Sequence, residues 1–360
     1  METWSPPRRR AQRILLALEA AAAGREQRDT VVGEEDVRAA VSAWPPQLPL
    51  ARRLRTPTST AAVREVSYWE RFYREKRDSF FKHRYNLRAE FPELMPEAVR
   101  ADPYAHIPPH VPRRRVASAD WQARLPQSTF VLAEAAAAAL RVAECGCGVG
   151  NALVPLLRAQ PSAYFFAFDF APAAVRLLLQ HPEMDEARVY AYVSDIAAAE
   201  QEEEEQEGTI HSTGAYRPPP LPCHYVTCVW TLSAVPATHL SLVVQRLARM
   251  LLPGGSVLLR DYAVGDLAQL RHPACARVPG TAHEYLRGDG TRVHYFTTDE
   301  LQALFEGAGL HTEYVRLQHR VVVNRKERLS MHRRWVAAKF TRPEQEGRRG
   351  RQGADRCEEL

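Results

Sequence analysis

The chain has 360 residues, a formal net charge of +5, 45% hydrophobic residues and 25% charged ones. That is long enough for one large core or two smaller ones, and the apolar content is ordinary for a globular protein. The six cysteines show no paired C-x-x-C spacing, which argues against a structural zinc site or disulfide framework, fits a reducing compartment and leaves no metal expected. No apolar run approaches the ~20 residues of a membrane span, so no membrane partner is expected either.

Residues 1–60 are rich in Arg, Ala and Pro and read as a poorly ordered arm. Arg8, Arg9, Arg10 and Arg13 precede an Ala- and Leu-rich stretch that is helical by propensity. A cytoplasmic protein is expected. The Arg-rich arm makes a mitochondrial transit peptide the alternative, against which Glu2 and Glu19 argue.

From Tyr68 to Phe91 aromatics are dense and interleaved with Arg and Lys. Trp69, Phe72 and Tyr73 fall on one helical face, and Phe80, Phe81, Tyr85 and Leu87 predict a second helix. These helices either pack on the core or form a lid whose cations meet phosphates, and one face can do each. Residues 61–126 are thus a helical lid and connector, in which Arg113–Arg115 is a solvated run or a phosphate contact. Residues 130–140 predict an Ala-rich helix.

Val142-Ala-Glu-Cys-Gly-Cys-Gly-Val-Gly-Asn151 reads as a strand ending in an acid, a glycine turn, then a helix start. Gly146, Gly148 and Gly150 suit a backbone that turns sharply against a ligand. A second acid, Asp169, ends the next apolar run about 20 residues on, where a carboxylate reaches a ribose. A dinucleotide site wants G-x-G-x-x-G; here the pattern is acid-x-G-x-G-x-G. That favours S-adenosylmethionine (SAM), which carries no phosphate and has an ammonium for Glu144 to face. A tight turn without a ligand is the alternative.

A helix over 173–180 and a third strand over 189–195 follow, with Asp195 placed to contact an adenine amine. Residues 197–221 hold an acidic run and Pro218–Pro220 and read as a solvated insertion. A fourth strand (223–230), a helix (239–250) with Pro253-Gly-Gly255 as its stop, and a fifth strand (256–262) complete the alternation. Alternating strand and helix imply a parallel sheet wound on both faces, and that architecture alone does not choose a function. Arg287-Gly-Asp-Gly-Thr-Arg292 has hairpin chemistry. A helix is expected over 298–308, capped from Thr298 and stopped by Gly309. Strands over 312–323 and 331–340 come next, then a disordered tail over 343–360.

These stretches carry a resemblance. Tyr68-Trp69 with Phe72-Tyr73, Phe80-Phe-Lys82, Glu90-Phe-Pro-Glu-Leu94, the glycine turn, Leu232-Ser-Ala-Val235, Pro253-Gly-Gly255, Arg260-Asp-Tyr262, Asp266 to Arg271, Arg287 to Arg292 and Val323-Asn-Arg325 run in the same order as in the eukaryotic tRNA N3-methylcytidine methyltransferases, which this chain resembles. His83, Asn86 and Pro236 stand where that family carries other residues. The resemblance implies a class I, Rossmann-like fold, with a mainly parallel seven-stranded sheet over 127–342 and an N-terminal helical lid. It implies SAM held by Trp69, Tyr73, Gly146, Gly148, Asp169, Asp195, Ile196 and Val229, joined by Tyr68, Gly150 and Asn151 of the matching stretches. It also implies an anticodon-loop cytosine of tRNA, of the position-32 type, as acceptor; whether an aminoacyl-tRNA synthetase or other tRNA-presenting protein is a further partner is left open by the sequence.

Cytosine N3 has a free lone pair, so its methylation needs alignment rather than a general base. The product is cationic, which makes Asp289 and Asp261 the candidate catalytic carboxylates. Lys82, Arg84, Arg271, Arg287, Arg292 and Arg325 are the candidate RNA contacts. A methyltransferase of the same fold acting on a protein or small molecule, and a catalytically silent RNA-binding protein, are the alternative readings.

Overall fold

The structure, a computed structural model, describes residues 61–77, 82–113, 139–198, 216–324 and 329–344. The expected arm, the helix over 130–140, most of the acidic insertion and most of the tail lie outside the described residues.

Seven strands form the central sheet: β1 (Leu140–Cys145), β2 (Ala163–Asp169), β3 (Val189–Val193), β4 (Cys223–Val229), β5 (Leu251–Tyr262), β8 (His311–Asn324) and β9 (Leu329–Thr341). Their order is β3-β2-β1-β4-β5-β9-β8. The first five pair in parallel, and β9 runs antiparallel to both β5 and β8. This is the mainly parallel seven-stranded sheet that the sequence predicts. β2 is buried at all seven positions, as its unbroken Tyr164-Phe-Phe-Ala-Phe run requires of a central strand covered on both faces. One core layer gathers Phe166, Phe168, Leu247, Leu259 and Phe340; the opposite one gathers Leu87, Phe91, Leu153, Phe165 and Leu258.

A lid helix, α1 (Ala61–Lys76), is docked from its own sequence. Glu70 Oε2 accepts the Ala173 amide at 2.8 Å. Ala173 lies in the first turn of α5 (Pro172–Leu179), so this carboxylate satisfies an amide that has no partner within its own helix.

The second predicted lid helix is shorter than expected. Residues 82–86 are coil and turn, α2 covers only Leu87–Glu90, and Pro92 forces the chain out of it. Two short pieces follow in sequence, α3 (Glu97–Ala101) and, after the glycine turn, α4 (Leu153–Ala159).

Other boundaries also moved. β3 ends at Val193, so Asp195 stands beyond the strand in the loop. Helix α6 (Leu240–Arg249) is followed by β5, which pairs with β4 at Leu251 and again from Ser256, with Pro253–Gly255 in the irregularity between. After the short α7 (Leu267–Leu270), the predicted hairpin is present: β6 (Glu284–Leu286) pairs antiparallel with β7 (Arg292–His294). Helix α8 (Thr298–Gly307) is capped by Thr297, whose side chain accepts the Glu300 amide, rather than by Thr298. Gly309, at φ +80°, ends it as expected.

Candidate functional site

β1, β2, β4 and β5 run in the same direction, and strand order reverses between β1 and β4. Open α/β sheets place ligands at such a reversal, beyond the carboxyl ends of the strands. A cleft of about 300 Å³ opens there. Its walls are the glycine turn, the aromatic face of α1, the ends of β4 and β5, and the β6–β7 hairpin.

One half is the glycine side, lined by Trp69, Phe72, Tyr73, Glu144, Gly146, Cys147, Gly148, Asn151, Ala152 and Val229. The amides of Gly146 and Cys147 both donate to the Phe168 carbonyl, at 2.9 and 3.0 Å, which folds the turn over the end of β2. Gly148 sits at φ +52°, and a Cβ there would stand 2.9 Å from the Tyr73 phenol oxygen. Only glycine therefore allows the lid to close this far. Trp69, Phe72 and Tyr73 pack edge to face or tilted, with centroids 5.3 to 5.9 Å apart, as one rigid aromatic wall.

Glu144 is 2% exposed. One bond from the Leu153 backbone helps its charged form, but burial dominates, and with the nearby Asp169 charge it pushes the carboxyl up to about 8. Its Oε2 has no hydrogen-bond partner among the described residues. A buried carboxylate oxygen left open is a place for a cation. A glycine cradle, an aromatic wall and an acid in place of a phosphate-binding helix end fit SAM, which is cationic and phosphate-free.

Asp169 braces the glycine turn. Its Oδ2 accepts the Gly148 amide and its Oδ1 the Ala171 amide, both at 2.9 Å. It does not line the cleft; it holds the turn that does. Burial raises it to about 6 against the pull of those two amides. Asp195 accepts the Ala197 amide, and Ile196 packs into the core; neither lines the cleft. Tyr68 and Gly150 also stand outside it. Tyr68 packs instead against Gly290, at φ +91°, where a Cβ would come within 2.6 Å of the ring. Arg71 donates to the Asp289 carbonyl at 2.9 Å. Lid and hairpin thus close on each other across the cleft.

The other half is lined by Arg84, Trp230, Ser233, Ala234, Tyr262, Arg287, Asp289 and Thr291. The Arg84 amide donates to the Asn151 carbonyl at 2.7 Å, and its guanidinium lies over the Trp230 ring, 5.8 Å from the centroid. Burial lowers the Arg84 pKa. Arg287 lies over Tyr262 at 5.6 Å and donates to the Arg292 carbonyl. This half is aromatic and basic, which suits a flat ring attached to a phosphate.

The two candidate carboxylates separate here. Asp261 is fully buried, accepts the Ser233 amide at 2.9 Å and the Tyr262 amide at 2.8 Å, and is pushed up to about 6 by burial. It shapes the cleft wall from behind. Asp289 lines the cleft, while its Oδ1 accepts both the amide and the hydroxyl of Thr291. Of the remaining RNA candidates, Lys82 and Arg271 are exposed outside the cleft, and Arg292 pairs with Glu284 at 3.0 Å. Arg325 lies outside the described residues.

None of His83, Asn86 and Pro236 lines the cleft. Sequence reasoning missed Phe72, Trp230 and Tyr262 as lining residues. A bulky aromatic directly after a buried apolar strand was the available signal for Trp230. Among the described residues, no group of three His, Cys, Asp or Glu could hold a metal ion.

A family model described as a methyltransferase domain matches residues 113–315. The tRNA N(3)-cytidine methyltransferase METTL2 of Danio rerio is 34% identical over 285 residues, covering 77% of this chain and 73% of that protein. The protein of that name from Mus musculus is 32% identical over 309 residues, covering 78% and 76%. A Dictyostelium discoideum protein named O-methyltransferase 3 is 29% identical over 318 residues, covering 77% and 70%.

Proposed function

The chain belongs to the tRNA N(3)-cytidine methyltransferase family, and on that premise we propose that it transfers the methyl group of SAM to N3 of an unpaired tRNA cytosine. The observation that carries this reading is the two-part cleft: a glycine-and-acid half shaped for a cationic, phosphate-free ligand, opening directly onto an aromatic half edged by Arg84 and Arg287. Bound SAM supplies the electrophilic methyl group.

The chain's own residues do the rest. Glu144, with its buried open Oε2, would meet the ligand ammonium. The Trp69–Phe72–Tyr73 wall closes over the turn and keeps water out. Asp169 and Asp261 fix the two backbone segments that face each other across the cleft, through Gly148 and Ser233. Thr231 ties them together, donating to the Cys145 carbonyl at 3.0 Å. N3 is a free lone pair in neutral cytosine, so no residue has to take a proton before attack. Alignment and water exclusion account for the rate.

N3 lies on the pairing edge, so the base must leave any stack to reach the cleft. An anticodon-loop cytosine is already unpaired, which lowers that cost and favours it as acceptor. Arg84 and Arg287 hold the flanking phosphates. Incubating the full chain with tRNA and SAM carrying a labelled methyl group, then digesting to nucleosides for mass spectrometry, tests the reading. Label in 3-methylcytidine supports it. Label in another nucleoside, in protein only, or nowhere overturns it.

A further inference from the structure

Trp230 is held in an unusual way. It follows the last residue of β4, and its φ is +60°. A bulky side chain in the left-handed region crowds its own carbonyl, and such a conformation lasts only where the surroundings over-determine it.

Those surroundings are specific. The Trp230 amide donates to the Arg260 carbonyl at 2.8 Å. The Arg260 guanidinium lies over the indole, 5.6 Å from its centroid, and over Trp335 at 5.0 Å. Arg260 is paired with Glu90, and their side chains are only 4% and 6% exposed. Glu90 also accepts from Asn86 at 3.1 Å and from Gln318 at 2.9 Å. One carboxylate therefore joins α2, β5 and β8 behind a single indole. A buried ion pair is a poor source of stability, because desolvating two charges cancels most of their attraction. Its presence here calls for another role.

The indole itself is incompletely used. Its N–H is buried with no acceptor among the described residues, and an acceptor arriving with a substrate, such as a pyrimidine carbonyl, would satisfy it. Its ring stands 4.6 Å from Tyr262, and both line the aromatic half of the cleft, next to Val229 of the glycine half. Unstacked bases are held on such surfaces.

We propose that Trp230 is the seat of the acceptor base and that the buried Glu90–Arg260 pair is the positioning device that holds its indole there. The proposal rests on the cytosine reading above. Trp230 touches substrate; Glu90 and Arg260 act through it.

The test uses full-length chain labelled with fluorotryptophan, with Trp230→Phe assigning the Trp230 fluorine resonance. Trp230→Ala is expected to lose roughly ten- to a hundred-fold in kcat/KM for tRNA, the scale of one lost base stack. Trp230→Phe, which keeps a flat ring but loses the N–H, is expected to fall between Trp230→Ala and the parent, and both are expected to bind S-adenosylhomocysteine as the parent does. The paired swap Glu90→Leu with Arg260→Met removes both charges at once; it is expected to keep the thermal midpoint, shift the Trp230 resonance and lower kcat/KM with Trp230→Ala. Arg260→Lys, which keeps the charge and loses the flat face, is the gentler variant and is expected to shift the same resonance. Parental kcat/KM in Trp230→Ala overturns the seat. An unmoved resonance in both Arg260 variants overturns the positioning device. Should the parent methylate no tRNA cytosine, the proposed function fails by itself. The seat is then read from the resonance alone: it moves with a cytosine oligonucleotide and not with its abasic counterpart if the seat is real, and stays still with both if it is not.

Discussion

Replacing Glu144 by Gln isolates a proton that the cleft holds only while it is empty of cation. Burial pushes this carboxyl up to about 8, so at pH 7 it is about nine-tenths protonated. A ligand ammonium beside it favours the ionised form and returns the pKa toward the ordinary carboxylate range. Binding of SAM or S-adenosylhomocysteine near pH 7 is therefore expected to release up to one proton. Titration calorimetry at pH 7 in two buffers of different ionisation enthalpy reads this directly, since the apparent binding heat changes by the released proton times the difference. Glu144→Gln has no proton to release and loses a charge-assisted contact, so its heat is expected to be buffer-independent and its affinity weaker by ~1.5–3 kcal/mol.

The same group sets a stability slope. Its folded pKa lies above its unfolded value of 4.5, so the unliganded fold takes up a proton in that window. The stabilisation is complete below about 4.5 and is lost as pH rises through about 8, at roughly 1.4 kcal/mol per unit between the two. Denaturant unfolding at pH 5 and pH 8 is expected to show that loss in the parent and a smaller one in Glu144→Gln. Buffer-independent heats in the parent would refute the argument, because they would mean that Glu144 is already ionised or does not meet the ligand.

Further outcomes follow from the same geometry. Asp169→Ala removes the acceptor for two turn amides and is expected to abolish measurable SAM binding by calorimetry, although the side chain does not line the cleft. Asp261→Asn and Asp289→Ala are expected to differ: the first lowers the thermal midpoint by leaving a buried amide unsatisfied, ~1–3 kcal/mol, while the second changes KM for tRNA more than stability. Gly290→Ala places a methyl against the Tyr68 ring at a left-handed position; a loss of ~1–2 kcal/mol in stability, with a larger drop in turnover than in cofactor affinity, is expected as the lid lifts from the hairpin. Affinity for tRNA is expected to fall steeply with salt, and Arg84→Ala and Arg287→Ala are each expected to reduce the salt slope by about 1.

The sheet was legible because its signals are local. The buried run of β2, the Asp-Gly turn between β6 and β7 and the three left-handed glycines announce themselves in a few residues each. Capping and helix length were less legible. Thr297 and Thr298 are equivalent by sequence until the chain direction into α8 selects one, and residues 82–86, which sit in a stretch with a helical look, are coil and turn, leaving Leu87–Glu90 as the helix before Pro92.

At the site, spacing found the glycine turn that touches the cleft but not the bracing that Asp169 gives that turn. A carboxylate beyond a strand can meet a ribose or hold the neighbouring turn, and only the positions of the Gly148 and Ala171 amides decide which oxygen goes where. Trp230 escaped notice for a similar reason. Arg260, which packs over its indole, and Glu90, which pairs with Arg260, lie 30 and 140 residues away in sequence.

A crystal grown with S-adenosylhomocysteine and soaked with cytidine tests the whole arrangement most directly. The cofactor product is expected between the glycine turn and Tyr73, its amino group at Glu144 Oε2, and the pyrimidine against Trp230 with N3 facing the sulfur. Cofactor density elsewhere on the molecule, or a pyrimidine bound away from Trp230, would contradict it.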